Sequence, residues 1–533
     1  MSPTEVWDRT WDDVVVGAGS AGAALAARLS EAGVGTSSGS GARSGSGDGA
    51  GGRRVLVLEA GPARLGPEHD GDALGAAVFE GYNWEYGARV NGPADRPRAT
   101  EYRVGRVVGG SSAINGAIAL RGLSTDFQAW AAAGNPEWSW DRVLPAFVKL
   151  ETDADFDGPG HGTRGPVYLS RPAAAEFGPC AEAFHSACRS LGIPAAADLN
   201  DDTAVGVGPV PANAVGGRRQ SVEEAYLRPA AERRNLVVRT DAEVARVTFD
   251  GSRATGVEVR LAGRIRRIAA ERVTLSAGAV NTPLILQRSG VGRAALLRRL
   301  GIDVVADLPG VGANLMDHPV VAIWIRPHED VCVAGAPWHH VAARTAGADG
   351  RADIGLFLAA NVTQAPSSGL DGALRGRPGA VVSAVLLSPA SRGSVALTDP
   401  AGATPPHITL NLAEHPDDVE RLVRGVRQAW SVVGSPEFGK LTDRVLIWTD
   451  RLVADEARLR AAIGRFVAPM WHPAGTARMG PAEDPLSVVD QHCRVHGLEG
   501  LRVADASVMP TLPSAPTNLS CVMIAERVAE WML

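Results

Sequence analysis

The regular pattern of the chain begins with a short apolar run, Val14-Val15-Val16, behind Asp12-Asp13. It is followed at once by Gly17-Ala18-Gly19-Ser20-Ala21-Gly22. From Ala23 to Ser30 the residues are mostly Ala and Leu, with Leu25 and Leu29 four positions apart, the spacing of a helix that packs one face closely. A second apolar run, Val55-Leu56-Val57-Leu58, stops at Glu59-Ala60. Strand, glycine turn, helix, strand, acid is the order of a dinucleotide-binding βαβ unit. In such a unit Gly17 makes the tight turn, Gly19 lets the backbone approach a pyrophosphate and Gly22 lets helix and sheet pack closely. Ser20 and Ala21 open a helix whose N-terminus faces the phosphates, and Glu59 accepts from a ribose hydroxyl. Between that helix and the second strand lies GTSSGSGARSGSGDGAGG, residues 35–52. It has too little apolar surface to offset its ordering entropy, which predicts a mobile surface insertion.

Further along, Leu236 to Val247 and Gly256 to Val259 read as strands, with a turn at Asp250-Gly251. Arg272 to Ser276 reads as another strand. Thr282 is the expected N-cap of a following helix, with Pro283 in its first turn and an end near Gly290. The pattern weakens between 320 and 460, where Ala380 to Leu387 is strand-like. Leu501 to Asp505 reads as a strand ending in an acid, and Cys521 to Leu533 as a terminal helix.

Composition narrows the possibilities. A chain of 533 residues, 45% hydrophobic and 21% charged, suits two large, intergrown domains of an ordinary globular protein. A net charge of −6 and the lack of a basic stripe argue against a nucleic-acid surface. Five scattered cysteines form no CxxC pair, so a reduced, cytoplasmic setting is expected. Met1 to Trp11 has no basic-then-apolar run, and no uncharged apolar stretch approaches the ~18 residues of a membrane helix.

Three further segments carry candidate chemistry. In Gly105 to Gly116, the run Gly109-Gly110-Ser111-Ser112 and the pair Asn115-Gly116 offer N–H groups and short polar side chains to a planar ligand, or make a plain polar turn. His472, between Trp471 and Pro473, is held stiffly and partly shielded, which suits a base of near-neutral pKa or a structural histidine. Asn518 stands before the last helix, where capping is the common role of Asn. The pair His339-His340 lacks companions at metal spacing, so no metal is expected.

Together these segments resemble the glucose–methanol–choline (GMC) oxidoreductase family, in that family's order. The resemblance rests on Gly105 to Gly116, on Ser276-Ala277-Gly278-Ala279-Val280-Asn281-Thr282-Pro283 through Gly292, and on Leu308 to Pro319. It also rests on the Trp471-His472 segment and on Asp505-Ala506-Ser507-Val508-Met509-Pro510. It covers nearly the whole chain, least clearly between 320 and 460.

The resemblance implies an α/β fold: a Rossmann-like FAD-binding domain (1–160, 201–318, 465–533) interleaved with an antiparallel-sheet substrate-binding domain (161–200, 319–464). Gly17, Gly19, Gly22 and Glu59 would hold the ADP half of FAD, with Val244 meeting the adenine through its backbone. Gly109, Gly110 and Asn115 would lie along the flavin, flanked by Ser111, Gly116, Ala277 and Gly278, and Asp505 and Ala506 would lie near the ribityl-diphosphate. His472 matches the catalytic histidine and Asn518 the second active-site position. The implied reaction is oxidation of a CH–OH group, of a primary alcohol first, by hydride transfer to flavin N5 with His472 as base. Oxygen or another carrier would be the acceptor. An FAD-containing lyase without net redox is the alternative, and a non-catalytic flavoprotein a third. Ile114 stands where some relatives attach FAD covalently through His, so non-covalent FAD is expected. Pro516 and Ser520 depart from the family pattern, which predicts a different bend before the last helix.

Overall fold

The computed structural model describes residues 7, 9–31, 52–66, 81–93, 95–202, 205–363 and 368–533, so residues 35–51 of the Gly/Ser-rich insertion lie outside it. Its first sheet has seven strands. In chain order they are β1 (Thr10–Val16), β2 (Val55–Leu58), β3 (Leu236–Arg239), β4 (Glu243–Asp250), β5 (Arg253–Leu261), β6 (Arg264–Leu275) and β7 (Leu501–Val503). The spatial order is β3-β2-β1-β6-β5-β4, with β7 beside the end of β6. The pairs β3–β2, β2–β1, β1–β6 and β6–β7 are parallel. Val14, Val15 and the whole of β2 are buried, as expected of parallel strands covered on both faces.

Several boundaries differ from the sequence expectation. Leu236 to Val247 is not one strand but lies in β3 and β4, at opposite edges of the sheet, and the terminal helix begins at Asn518 rather than Cys521. β6 begins at Arg264, eight positions before Arg272. Its first half is an exposed, Arg-rich ribbon whose strand character comes from antiparallel pairing with β5 rather than from its own apolar pattern. The helix expected after Thr282 starts at Gly278 instead (α2, Gly278–Arg288). The Asp505 carboxylate accepts the Gly278 N–H at 2.9 Å and the Thr282 hydroxyl at 2.6 Å, capping the helix from a distant segment. Pro283 is therefore internal and cannot bond the Ala279 carbonyl; Thr476 Oγ1 donates to that oxygen instead, at 2.6 Å.

A second sheet, antiparallel throughout, runs Thr442–Val445, Pro319–Pro327, Gly379–Leu386, Ala352–Val362, Val341–Ala346, Gly206–Pro209. Helix Pro416–Val433 lies on it, with Leu422, Val426, Ala429 and Val433 sharing a core with Ile323, Leu356 and Val382. The strand Gly206–Pro209 thus belongs to this sheet, although 201–318 was expected in the first unit. A four-stranded sheet joins the hairpin Asn83–Asn91/Arg98–Gly105 to Ser394–Ala396 and His407–Thr409.

The first helix, α1 (Ser20–Leu29), packs beside the terminal helix, α3 (Asn518–Met532). Ala21, Ala23, Ala24, Ala26 and Ala27 are all buried, and small side chains let the two backbones approach. Ser20 Oγ donates to Asn518 Oδ1 at 2.7 Å, and Arg28 Nε donates to Glu526 at 2.9 Å. Each contact advances eight residues on both helices, so α1 and α3 run parallel with their N-termini together. Glu526, fully buried, also accepts from Tyr226 Oη (2.7 Å) and pairs with Lys149 (3.0 Å). Because removing one partner strands the other charges, Glu526→Ala should cost about 3–5 kcal/mol, read as a lowered urea midpoint, while Glu526→Gln should cost less. An unchanged midpoint for Glu526→Ala would remove this cluster from the account of the fold.

Candidate active site

The glycine turn leaves β1 pinned to β2, because Gly17 donates its N–H to Leu58 O at 2.8 Å. Glu59 closes β2 almost fully buried and accepts the Ala18 and Gly61 N–H groups, each at 2.9 Å. Burial raises its carboxyl above the ordinary range, with the amide donors and Arg106 opposing. Ala242 donates to Glu59 O (2.8 Å) and Asp241 to Gly61 O (3.0 Å), which sets the start of β4 and buried Val244 near this acid. Ala60 is half-buried between the two contacts.

The cap of α1 is Gly19, which has no side chain to satisfy the first-turn N–H groups of Ser20, Ala21 and Gly22. An anion from outside the chain is the natural acceptor there. The Gly105–Gly116 segment folds over this turn. Gly109 donates to Ala18 O at 2.8 Å. Gly110 has φ +53°, and a Cβ on it would stand 2.7 Å from Gly19 Cα. The two glycine turns touch, leaving a narrow backbone-walled cradle beside an uncapped helix and a buried acid, which fits a dinucleotide.

The short polar residues of this segment hold its own turns. Ser111 Oγ accepts from Gly105 N (3.1 Å), Ser112 Oγ donates to Gly109 O (2.6 Å), and Asn115 Oδ1 accepts from Ala117 N (2.9 Å). Gly116 faces His339, whose Nε2 would lie 3.4 Å from a Cβ there. Asp505, expected near the diphosphate, takes four protein donors: Gly278 N, Thr282 Oγ1, Ser507 N (2.8 Å) and Ser507 Oγ (2.5 Å). It fixes Ala277–Gly278 and Ala506, and the Ala506 carbonyl accepts the Gly475 N–H at 3.0 Å. The 505–508 turn is thereby laced to the segment that carries His472.

His472 lies on a loop whose backbone is strained at Trp471, φ +57°, a conformation that costs on the order of 1–3 kcal/mol for a bulky residue. Asp317 Oδ1 brackets it, accepting the Met470 N–H (3.2 Å) and the His472 N–H (3.1 Å), while Tyr102 Oη donates to Oδ2 (2.6 Å). Burial pushes the Asp317 carboxyl up to about 7.

The rings of His472 and His318 meet edge to face, with Nδ1 to Nδ1 at 2.9 Å. Burial holds His318 down at about 4 and His472 well below its usual range, with His318 adding to the second shift. Both rings are therefore neutral near pH 7. His318 Nε2 faces two carbonyl oxygens, of Leu387 and Pro513, each at 3.1 Å, so it must carry the proton. Its Nδ1 is then an acceptor, His472 Nδ1 must be the donor, and His472 Nε2 is left with the lone pair. The network assigns the basic atom.

His318, Asp317, Tyr102 and Asp126 were not singled out from the sequence, although Asp317-His318 lies in a quoted motif. Asp126 accepts from Ser514 N and Ser514 Oγ, both at 2.7 Å, and so steadies the turn whose Pro513 carbonyl reads His318. Asn518 is the first residue of α3, behind the cap Thr517. Its Oδ1 accepts from Ser20, and among the described residues no hydrogen bond joins it to His472. The structure thus places Asn518 at the α1 N-terminus. Elsewhere Glu151, Asp153 and His161 gather within reach of one ion, but two guanidiniums already serve them. Arg121 pairs with Glu151, and Arg171 with Asp153 (2.7 Å) and Asp198 (2.7 Å). Among the described residues no helix is long and apolar enough to cross a membrane.

Comparison with known proteins agrees with this geometry. The GMC oxidoreductase family models match residues 11–320 and 389–525. A 5-(hydroxymethyl)furfural oxidase of Methylovorus sp. is 34% identical, with 99% of each chain covered. An oxygen-dependent choline dehydrogenase of Rhizobium etli is 32% identical over 98% of this chain and 95% of its own. The crystal structure of pyridoxine 4-oxidase from Mesorbium loti superposes with a TM-score of 0.86 at 30% identity, covering 98% of this chain and 99% of that one. With the cradle, the acid and the histidine pair in their places, the chain belongs to the GMC oxidoreductase family of FAD-dependent enzymes acting on CH–OH donors.

Proposed function

We propose that this enzyme oxidises a primary alcohol to a carbonyl, with His472 Nε2 accepting the hydroxyl proton. The observation that carries the reading is the His318–His472 contact, which leaves one defined lone pair on a half-buried imidazole that desolvation keeps neutral. The names of the relatives, which concern hydroxymethylfurfural, choline and pyridoxine, support a substrate bearing a hydroxymethyl-type group. FAD, held along Gly17–Gly22, Glu59 and Gly109–Gly110, supplies the hydride acceptor when bound. Ile114 is buried against Val107 and Ala113 and offers no nucleophile, which favours non-covalent FAD.

The chain's own contribution is orientation and proton acceptance. As the hydroxyl proton moves to His472 Nε2, the growing positive charge is shared through Nδ1–H with His318, whose far nitrogen stays tethered to two carbonyls. Asp317 keeps the His472 backbone in place during the transfer. Asn518, its Oδ1 held by Ser20, would add to the site from the N-terminus of α3, where negative charge is favoured. Oxygen or a separate carrier would take the electrons, and the domain division at about 160, 201, 319 and 465 remains the working one, with Gly206–Pro209 lent to the substrate sheet.

Anaerobic titration of the yellow holoenzyme with primary alcohols should bleach the flavin band, and the speed of recovery in air then separates an oxidase from a dehydrogenase. Flavin that no alcohol bleaches would favour the lyase reading. His472→Ala should slow bleaching about 10²–10⁴-fold while the visible spectrum of bound flavin remains. His318→Phe, which removes the Nδ1 acceptor but keeps a buried ring, should slow it less and reshape the pH profile. The sign of that profile follows from burial. The His472 pKa is depressed in the folded enzyme, so the base form is present at pH 6.5 and is lost only as pH falls through the lowered value. kcat/KM should stay level through pH 6.5 and decline only as pH falls well below that value; an acid limb centred above 6.5 would falsify the assignment.

A further inference from the structure

Cys180 and Cys332 are 152 residues apart in sequence, yet their sulfurs lie 3.8 Å apart. Cys180 is the second residue of helix Pro179–Ser190, after Gly178 and Pro179. Cys332 is half-buried on the connection between strands Pro319–Pro327 and Val341–Ala346. We propose that this pair is a peroxide-sensitive modification site, closing reversibly to a disulfide that pins the 331–340 connection to the helix.

The surroundings suit that chemistry. The Cys180 S–H donated to Cys332 holds the Cys332 thiol down at about 7, and the same contact together with burial keeps the Cys180 thiol protonated. Two thiols in contact, one of them half-buried and lowered toward neutral pH by the other, form the arrangement of a redox-responsive pair. The other three cysteines are buried, and desolvation pushes the Cys188 thiol up to about 12 and those of Cys493 and Cys521 further. A cavity of about 20 Å³, bordered by Cys180, Val331, Trp338 and Asn361, lies on the Cys180 side of the pair, room for one water-sized molecule.

The reaction balances with hydrogen peroxide as the oxidant. The Cys332 thiolate attacks one peroxide oxygen; an S–O bond forms, the O–O bond breaks, and the departing hydroxide is protonated to water. Cys180 sulfur then attacks the sulfenic sulfur of Cys332; the S–S bond forms, the S–O bond breaks, and hydroxide leaves with the Cys180 proton as a second water. Two thiols are oxidised by two electrons and one peroxide is reduced.

The connection that would be pinned reaches the active-site wall. Asn361 spans it, accepting from Val333 N (2.9 Å) and donating to Pro337 O (2.8 Å). Trp338 O accepts from Ala360 N (2.9 Å), and His339 Nδ1 donates to Leu358 O (3.0 Å) while its Nε2 faces Gly116. His340 stacks on Phe177 (6.2 Å between centroids), just ahead of the Cys180 helix.

The test uses the holoenzyme exposed to equimolar hydrogen peroxide, then quenched and denatured. Free thiols should fall from five to three, and non-reducing peptide mapping should show a Cys180–Cys332 cross-link that a phosphine reductant removes. In Cys180→Ser the resolving sulfur is gone, so Cys332 should instead be captured by dimedone as a sulfenic acid; in Cys332→Ser all four remaining thiols should survive. Five intact thiols in the wild type, or loss confined to other cysteines, would overturn the proposal. So would over-oxidation of Cys332 without a cross-link.

Discussion

The contact between the first and the last helix organises the rest of the molecule. α1 is an alanine-rich helix that cannot fill space by itself, and α3 supplies the surface that it lacks. Ser20–Asn518 and Arg28–Glu526 hold the two helices parallel, so two positive helix ends open toward the same region. A buried carboxylate that accepts from Arg28, Tyr226 and Lys149 is tolerable only because it is fully partnered. The glycine turn that opens α1 is covered in its turn by Gly109–Gly110, placed by contacts with Ala18 and Gly19.

The same logic of remote support governs the histidine pair. Desolvation lowers the pKa of both imidazoles and keeps the two rings neutral. Burial alone would leave the tautomer undecided. Two carbonyls facing His318 decide it, and one of them, at Pro513, is set by the Asp126–Ser514 contacts. The strain at Trp471 is held by a single Asp317 oxygen on either side of it. Each support comes from a different stretch of chain.

Interleaving also ties access to the substrate side. The connection carrying Cys332, Trp338 and His339 joins two strands of the antiparallel sheet and ends against Gly116 of the cradle wall. A covalent link there would act on the approach to the site without touching His472 or the nucleotide turn.

The βαβ unit was legible in the sequence because its signals are short-range: apolar runs, a glycine spacing and a terminal acid within one segment. The family followed from five motifs, each readable without its neighbours. The β6 ribbon was undercounted because pairing, not apolar pattern, makes it a strand. The start of α2 was misplaced because its cap, Asp505, lies 227 residues away. Asn518 is expected at the second active-site position, and the fold adds a Ser20 contact that no spacing announces. The resemblance singles out His472, but the state of its two nitrogens is set by a partner 154 residues distant. The cysteines looked scattered until the fold set two of them 3.8 Å apart. Local spacing by itself indicated the dinucleotide-binding βαβ unit, and the family motifs supplied the fold class and the expectation that His472 is the base. The tautomer, the caps and the thiol pair were decided only by tertiary structure, because hydrogen bonds and sulfur contacts act over a few ångströms of space and carry no trace in sequence distance.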